Sequence, residues 1–306
     1  MFRTLSLAAV LAAFALAVLG SWVRINGAGL TCPDWPLCNG QLIPPLDGAV
    51  ILEWSHRMVA LIEGVLVLGA ALAAWRSRTR IAFVRPVLAF IGVVFAIQVG
   101  LGGATVLLAN NPPSVVWHWA AAMLFLSGLV ALAILAFTQP PAGSRIPPQG
   151  ALYPLLGVTV LAAFATMCIG AFVSSSGAGL ACLSFPTCEG GIFGATPAQT
   201  AQMLHRLAAG LFFACATGVA YAAAITAAGR LRTAVLGGYA LVVVQVFLGI
   251  ANVVWALPIA LREAHAANAA ATFLVFVAAF VLASLDGTVG EAARVRPLGV
   301  AMTSRS

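Results

Sequence analysis

Long apolar runs, each about twenty residues, alternate with short polar connections along the whole chain. Eight runs stand out, over 5–23, 53–75, 86–108, 114–137, 152–173, 202–228, 233–255 and 262–285. A helix rises about 1.5 Å per residue, so each run is long enough to cross a ~30 Å hydrocarbon core. Water is absent there, and only a helix pairs all of its own backbone groups. The pattern predicts an all-α integral membrane protein with eight transmembrane helices.

The pattern is also written twice. "GAGLTCPDWPLCNG" at 27–40 returns as "GAGLACLSFPTCEG" at 177–190, an offset of 150. "HRMVALIEG" from His56 matches "HRLAAGLFF" from His205 at 149, and "QVGLGGATVLL" from Gln98 matches "QVFLGIANVVW" from Gln245 at 147. An internal repeat decides the architecture, so it is weighed before any single motif. Each half holds four spans, an even number, so both halves enter the membrane in the same direction. Two tandem four-helix bundles related by a pseudo-twofold axis along the membrane normal are expected. The boundaries follow: a first bundle over 1–137, a linker over 138–150 rich in proline, a second bundle over 151–285, and a tail over 286–306. The first span could be read as a cleaved secretory signal. That would leave the fifth span without its counterpart, so the span is kept.

Composition agrees and charge adds orientation. The chain is 62% hydrophobic and 8% charged, with a net charge of +7. All fifteen basic residues are arginines. Eleven fall at the amino terminus, in every second connection and in the tail, at 3, 76, 78, 80, 85, 145, 230, 232, 294, 296 and 305. Arg24, Arg57, Arg206 and Arg262 lie on the other side. The positive-inside rule then puts both termini in the cytoplasm and the cysteine loops outside. The surplus of arginine reads as topology, with the lipid bilayer and not nucleic acid as the partner.

Only four histidines occur, His56, His118, His205 and His265, and each opens an even-numbered span. Ionisable groups inside a span are costly and mark function. Taken singly, each could be an interfacial histidine in the wet headgroup layer. As two pairs matched by the repeat, they form two bis-imidazole sites, a common cage for haem iron. Zinc wants three or four protein ligands and fits less well. Arg57 and Arg206 each follow a histidine and suit haem propionates, which a guanidinium binds bidentately. Interfacial arginine on lipid phosphate is the competing reading. Trp54, Trp117 and Trp119 fit an aromatic belt.

The halves differ beside the histidines. Glu53 precedes His56 by three residues on one helix face, and its counterpart is Gln202. A carboxylate there could act on water or on a substrate intermediate, or could simply complement the helix start. Glu63 lies seven residues past His56, opposite Phe212, and receives no role from the pattern. Cys32 with Cys38, and Cys182 with Cys188, pair most simply within each outer loop as structural staples. A redox-active dithiol and a four-cysteine zinc site remain alternatives. Cys168 and Cys215 fall inside spans and read as small core residues.

Together these residues resemble the haem A synthase family. The resemblance rests on the duplicated eight-span layout, "EWSHR" at 53–57, "HR" at 205–206, single histidines opening the fourth and eighth spans, and the cysteine pair of "CPDWPLC". It covers nearly the whole chain and is closest to the bacterial members that carry cysteine pairs. It implies stepwise oxidation of a ring methyl of haem O to the formyl group of haem A, for terminal oxidase biogenesis, in the bacterial inner membrane. His56 and His118 would hold the substrate haem O, with Glu53 as the acidic catalytic residue. His205 and His265 would ligate a resident haem b, and Cys32–Cys38 and Cys182–Cys188 would be disulfides. Haem O synthase, as supplier, and an unidentified electron acceptor are the further partners considered. Two rival functions stay open at this point: a di-haem b-type electron carrier, and a membrane dithiol–quinone oxidoreductase.

Overall fold

Each apolar run is a helix, and most helices outrun the apolar stretch that predicts them. The computed structural model describes residues 1–144, 150–189 and 191–294. It has α1 Phe2–Ile25, α2 Val50–Ser77, α3 Val84–Leu107, α4 Pro112–Thr138, α5 Leu152–Ser175, α6 Pro197–Thr226, α7 Gly229–Val254 and α8 Ile259–Arg294. All eight are long and apolar enough to cross a membrane, and the protein is a multi-pass membrane protein. Part of the linker, 145–149 with Arg145, lies outside the described residues. So do Gly190 and the tail from 295, with Arg296 and Arg305.

The helix ends follow local capping chemistry rather than hydropathy. The α6 start at Pro197 precedes its apolar run by five positions, because Thr196 and Gln199 close a capping box and proline suits the first turn. Asn111 caps α4 by accepting from the Ser114 N–H at 2.9 Å, with Pro112 next. The turns from α3 to α4 and from α7 to α8 are built alike. Asn110 and Leu257 both adopt left-handed φ, at 52° and 60°, and their N–H groups return to Thr105 and Asn252.

Within residues 1–138, α1 packs on α2 and α4, and α3 on α4. Within 152–294 the same pairs recur as α5 on α6 and α8, and α7 on α8. Between the two sets, α4 meets α5 and α8, and α1 meets α8. Helices α1, α4, α5 and α8 therefore form the centre, and α2, α3, α6 and α7 flank it. One continuous core joins them, including Met123, Leu126 and Leu129 of α4 and Phe273 and Phe276 of α8. Small residues let backbones approach: a Cβ on Gly128 of α4 would stand 2.8 Å from the Ile91 side chain of α3. At the end opposite the cysteine loops, the start of the linker docks on the α2–α3 turn. The Ala82 N–H donates to Pro140 O at 2.9 Å, and the Ala142 N–H to Arg80 O at 2.9 Å.

Candidate haem sites and their lids

Both cysteine loops are closed by disulfides, Cys32–Cys38 and Cys182–Cys188, with Cα separations of 4.5 and 4.9 Å. Each loop then folds back in the same way, Cys38 pairing with Gln41 and Cys188 with Gly191. A loop this short pairs only some of its own carbonyls, and the buried remainder need donors. An arginine about two helical turns into the next helix supplies them. Arg57 Nη1 donates to the carbonyls of Asp34, at 2.7 Å, and of Leu37, while Nη2 donates to Cys32 O at 2.8 Å. Arg206 Nη1 reaches Ser184 O at 2.7 Å and Thr187 O at 2.9 Å, and its Nη2 reaches Cys182 O at 3.0 Å. The sequence suggests propionate partners at these two positions. The structure places both guanidinium groups on the loops as clasps.

Glu53 and Gln202 stand under the same point of their loops, each 4% exposed. Glu53 Oε2 accepts from the Cys32 N–H at 2.9 Å and from the Thr31 hydroxyl at 3.0 Å, and Oε1 pairs with Arg57 at 2.6 Å. Gln202 Oε1 accepts from the Cys182 N–H at 2.6 Å, and its Nε2 donates to Gly179 O at 2.9 Å. Thr31 corresponds to Ala181, which has no hydroxyl to offer. The position is thus a loop anchor in both halves, and only the first half makes that anchor a charged pair. The first loop has a further anionic contact at its tip. Asp34 accepts from the N–H groups of Asn39 at 2.6 Å and Gly40 at 2.8 Å, and the Gly40 hydrogen bond is the main reason its carboxyl is held below the ordinary 3.8. Ser184 takes that place in the second loop.

Below each lid the histidines lie on glycines. A Cβ on Gly20 of α1 would stand 2.8 Å from Cε1 of His56, and one on Gly170 of α5 would stand 2.8 Å from Cε1 of His205. The equivalents for His118 and His265 are Gly102 and Gly249, at 3.2 and 3.3 Å. All four rings therefore sit half-buried at the cysteine-loop end, each in a slot that a methyl group would fill. These glycines are sites that the reading of single motifs misses. Their signal is in the repeat, since Gly20 and Gly170 are 150 apart and Gly102 and Gly249 are 147 apart. The Trp35 ring also covers the neighbouring Gly103, 3.1 Å from where its Cβ would be, so the first lid reaches down to the site.

The two pairs are oriented differently. His205 Nδ1 lies 3.2 Å from the Thr166 carbonyl oxygen, which assigns the proton to Nδ1 and leaves Nε2 its lone pair. The Gln245 amide stands 3.2 Å from both ring nitrogens of His265 and is itself held by Asn268 at 2.7 Å. The two rings are 6.5 Å apart, centroid to centroid. In the first half, Nδ1 of His56 and Oε1 of Gln98 are buried without a partner, and Nδ1 of His118 has only the Gln98 backbone nearby, outside good hydrogen-bond geometry. Asn268 corresponds to Ala121, so Gln98 lacks the residue that steadies Gln245.

Three more polar groups lie where α1 meets α8 and α5. Arg24 donates to Ser174 at 2.8 Å, and Glu263, 9% exposed, lies near Ser21 and Arg24 without a hydrogen bond of good geometry. Glu63 is buried more deeply, at 2% exposure, and is likewise unpartnered. Among the described residues no cluster of three or more histidine, cysteine or acidic side chains forms a metal site.

A family model described as "Cytochrome oxidase assembly protein", COX15-CtaA, matches residues 3–51 and 46–277. Curated relatives include proteins named "Heme A synthase". One from Bacillus licheniformis is 33% identical over 204 residues, 64% of this chain and 66% of the relative. One from Bacillus pumilus is 30% identical over 225 residues, 68% and 71% of the two chains. One from Symbiobacterium thermophilum is 32% identical over 221 residues, again 68% and 71%.

Proposed function

Because the chain belongs to the COX15-CtaA family of cytochrome oxidase assembly proteins, we propose that it is a haem A synthase, an oxidoreductase that converts a ring methyl of haem O to the formyl group of haem A. The single observation that carries the division of labour is the unequal anchoring of two otherwise matched histidine pairs. A ligand histidine normally has its other ring nitrogen fixed by a carbonyl or a side chain, which sets its tautomer and orientation. His205 has the Thr166 carbonyl for this, which leaves its Nε2 free for iron; His265 faces the amide nitrogen of Gln245, itself held by Asn268, a contact that positions the ring without fixing its tautomer. Neither His56 nor His118 has a partner of good hydrogen-bond geometry at Nδ1, His118 having only the looser approach of the Gln98 backbone, as suits a site whose haem arrives as substrate and leaves as product.

The residues fit haem in both halves: paired imidazoles at one depth, glycine slots that fix their rings, and apolar helices around them. When bound, haem b supplies one-electron chemistry in the second half. Glu53 is the catalytic carboxylate, held one turn outward of His56 by Arg57, Thr31 and the Cys32 N–H, where it accepts a proton as the methyl carbon is oxidised. Gln202 fills the same place with a group that cannot ionise, and its half keeps its haem unchanged. Arg57 has four N–H donors engaged, so only its Nε–H is left for a propionate. Arg206 has a further Nη2–H as well as Nε–H. The disulfides staple the lids.

The two bundles, 1–137 and 151–285, are related in this reading by a pseudo-twofold axis between α4 and α8. The termini lie in the cytoplasm, and the lids face the outer side of the bacterial cell membrane. Haem O comes from a haem O synthase, and electrons leave to a separate acceptor. The test is expression of the full chain with a source of haem O, followed by extraction and chromatography with mass detection. Haem A, or its hydroxylated precursor, is expected. Unmodified haem b as the only product in both sites would support the electron-carrier reading instead.

A further inference from the structure

Glu63 is the least explained charged residue of the chain. It lies at the middle of α2, 2% exposed, and neither carboxyl oxygen has a hydrogen-bond partner. A buried polar group without a partner is costly, and each one in a folded protein calls for an explanation. Its place is specific: seven residues past His56 puts it on the same face of α2, about 10 Å deeper in the membrane. The repeat supplies the contrast. Phe212 occupies the matching position below His205, and it packs edge-on against Phe276 at 5.9 Å. The second half closes this space with an aromatic core, and the first half leaves a carboxyl group there.

A proton path explains this poorly, since a path needs a chain of polar groups and Glu63 has no polar neighbour in hydrogen-bond contact. A fixed hydrogen bond to a bound molecule explains it better. The two haems differ at one edge of the ring. Haem b carries a vinyl group where haem O carries a hydroxyalkyl group extended by an isoprenoid tail, and that edge faces away from the propionates. Were the propionates at the lid end, where water and arginines are, the hydroxyl would point down α2 toward the depth of Glu63.

Resting on the haem A synthase reading, we propose that Glu63 accepts a hydrogen bond from the side-chain hydroxyl of haem O and so selects haem O over haem b for the first half. Phe212 is the matching apolar contact for the vinyl edge of haem b. One buried hydrogen bond is worth about a tenfold preference.

The experiment measures which haem is bound, not only turnover. Full-length protein is produced with both haem O and haem b available, purified, and its haems extracted and quantified. Glu63→Leu and Glu63→Phe should lower about tenfold the ratio of O-type haem (haem O and its oxidised products) to haem b in the first site, its haem b being the amount extracted beyond one per folded molecule. Glu63→Gln, which keeps a carbonyl acceptor, should retain most of the wild-type ratio. Haem b retained in the second half reports that each variant has folded. If both apolar variants lose it, the carboxyl infrared band decides. The difference spectrum between haem O-loaded and haem b-loaded wild type should contain a carboxyl band that Glu63→Gln removes, and its absence overturns the proposal. Wild type that makes haem A, beside a folded Glu63→Leu with an unchanged ratio, also overturns it while leaving the functional reading intact. Wild type that neither binds haem O nor forms haem A defeats the functional reading itself.

Discussion

The two lids are the same device with different electrostatics. In each, a disulfide closes a short loop, an arginine from the following helix takes up the loop carbonyls, and the residue four positions before Arg57 or Arg206 binds the N–H of the first cysteine. In the first lid that residue is Glu53, and the clasp becomes a buried ion pair. In the second it is Gln202, and every partner is neutral. Below them the asymmetry reverses: the second histidine pair is steadied by Thr166, Gln245 and Asn268, and the first is not. Duplication thus supplied one scaffold twice, with charge placed above one site and orientation built into the other. A carboxylate beside loosely held histidines would suit chemistry on an exchanging haem. A neutral lid over more firmly held histidines would suit a haem that stays.

The sharpest way to break this comparison is to make the lids alike. Glu53→Gln should fold, because Gln202 shows that an amide can hold the cysteine N–H and remain buried in this setting. It should still lower conversion of haem O by about 10²–10⁴-fold, the range for loss of a general acid–base group. Haem O turnover in isolated membranes checks this, and near-wild-type turnover would reduce Glu53 to a loop anchor. Next comes the clasp. Arg57→Met leaves Glu53 buried without its cation and should destabilise the fold by about 3–5 kcal/mol. Arg206→Met leaves only neutral acceptors, so about 1–3 kcal/mol is expected. Thermal unfolding of the two variants in detergent should rank them in that order.

Replacing Cys32 and Cys38 by serine, and separately Cys182 and Cys188, removes staples of equal span. Each should cost about 2–2.5 kcal/mol in the chain-entropy model. If the staples are structural, haem O turnover per folded molecule survives both changes. Loss of turnover from the first pair alone would make that disulfide a redox participant. The smallest effect is in acid. The lowered Asp34 carboxyl stabilises the first loop tip above its unfolded value near 3.8, and that contribution is lost as pH falls below 3.8 through the lowered folded value. Ser184 does not titrate, so hydrogen exchange at Asn39 and Gly40 should quicken in this window while Glu189 is unaffected.

Much of this was legible in the chain. Hydropathy located all eight helices, since a span cannot hide its apolar length, and the repeat exposed the lids and histidine pairs. Helix ends were not marked by hydropathy. The α6 start needed the Thr196–Gln199 capping box, and α8 continues to Arg294, past its apolar run. Arg57 and Arg206 could not be assigned from sequence, because the carbonyls they bind converge only once the loop has folded. Glu53 stood out by contrast with Gln202, yet its shared anchoring role required coordinates. Gly20, Gly102, Gly170 and Gly249 were present in the repeat, but a glycine reads as ordinary packing until the ring above it is seen. Glu263 has no counterpart, facing Val116 in the repeat, and was missed.

The central claim is that His56 and His118 hold the substrate haem while His205 and His265 hold the resident one. Haem extraction from His56→Ala and His205→Ala, each produced with haem O available, tests it directly. His56→Ala should keep haem b and lose haem O and haem A, and His205→Ala should lose haem b and keep O-type haem. Loss of the same haem from both variants, or of haem b from His56→Ala alone, would contradict the account.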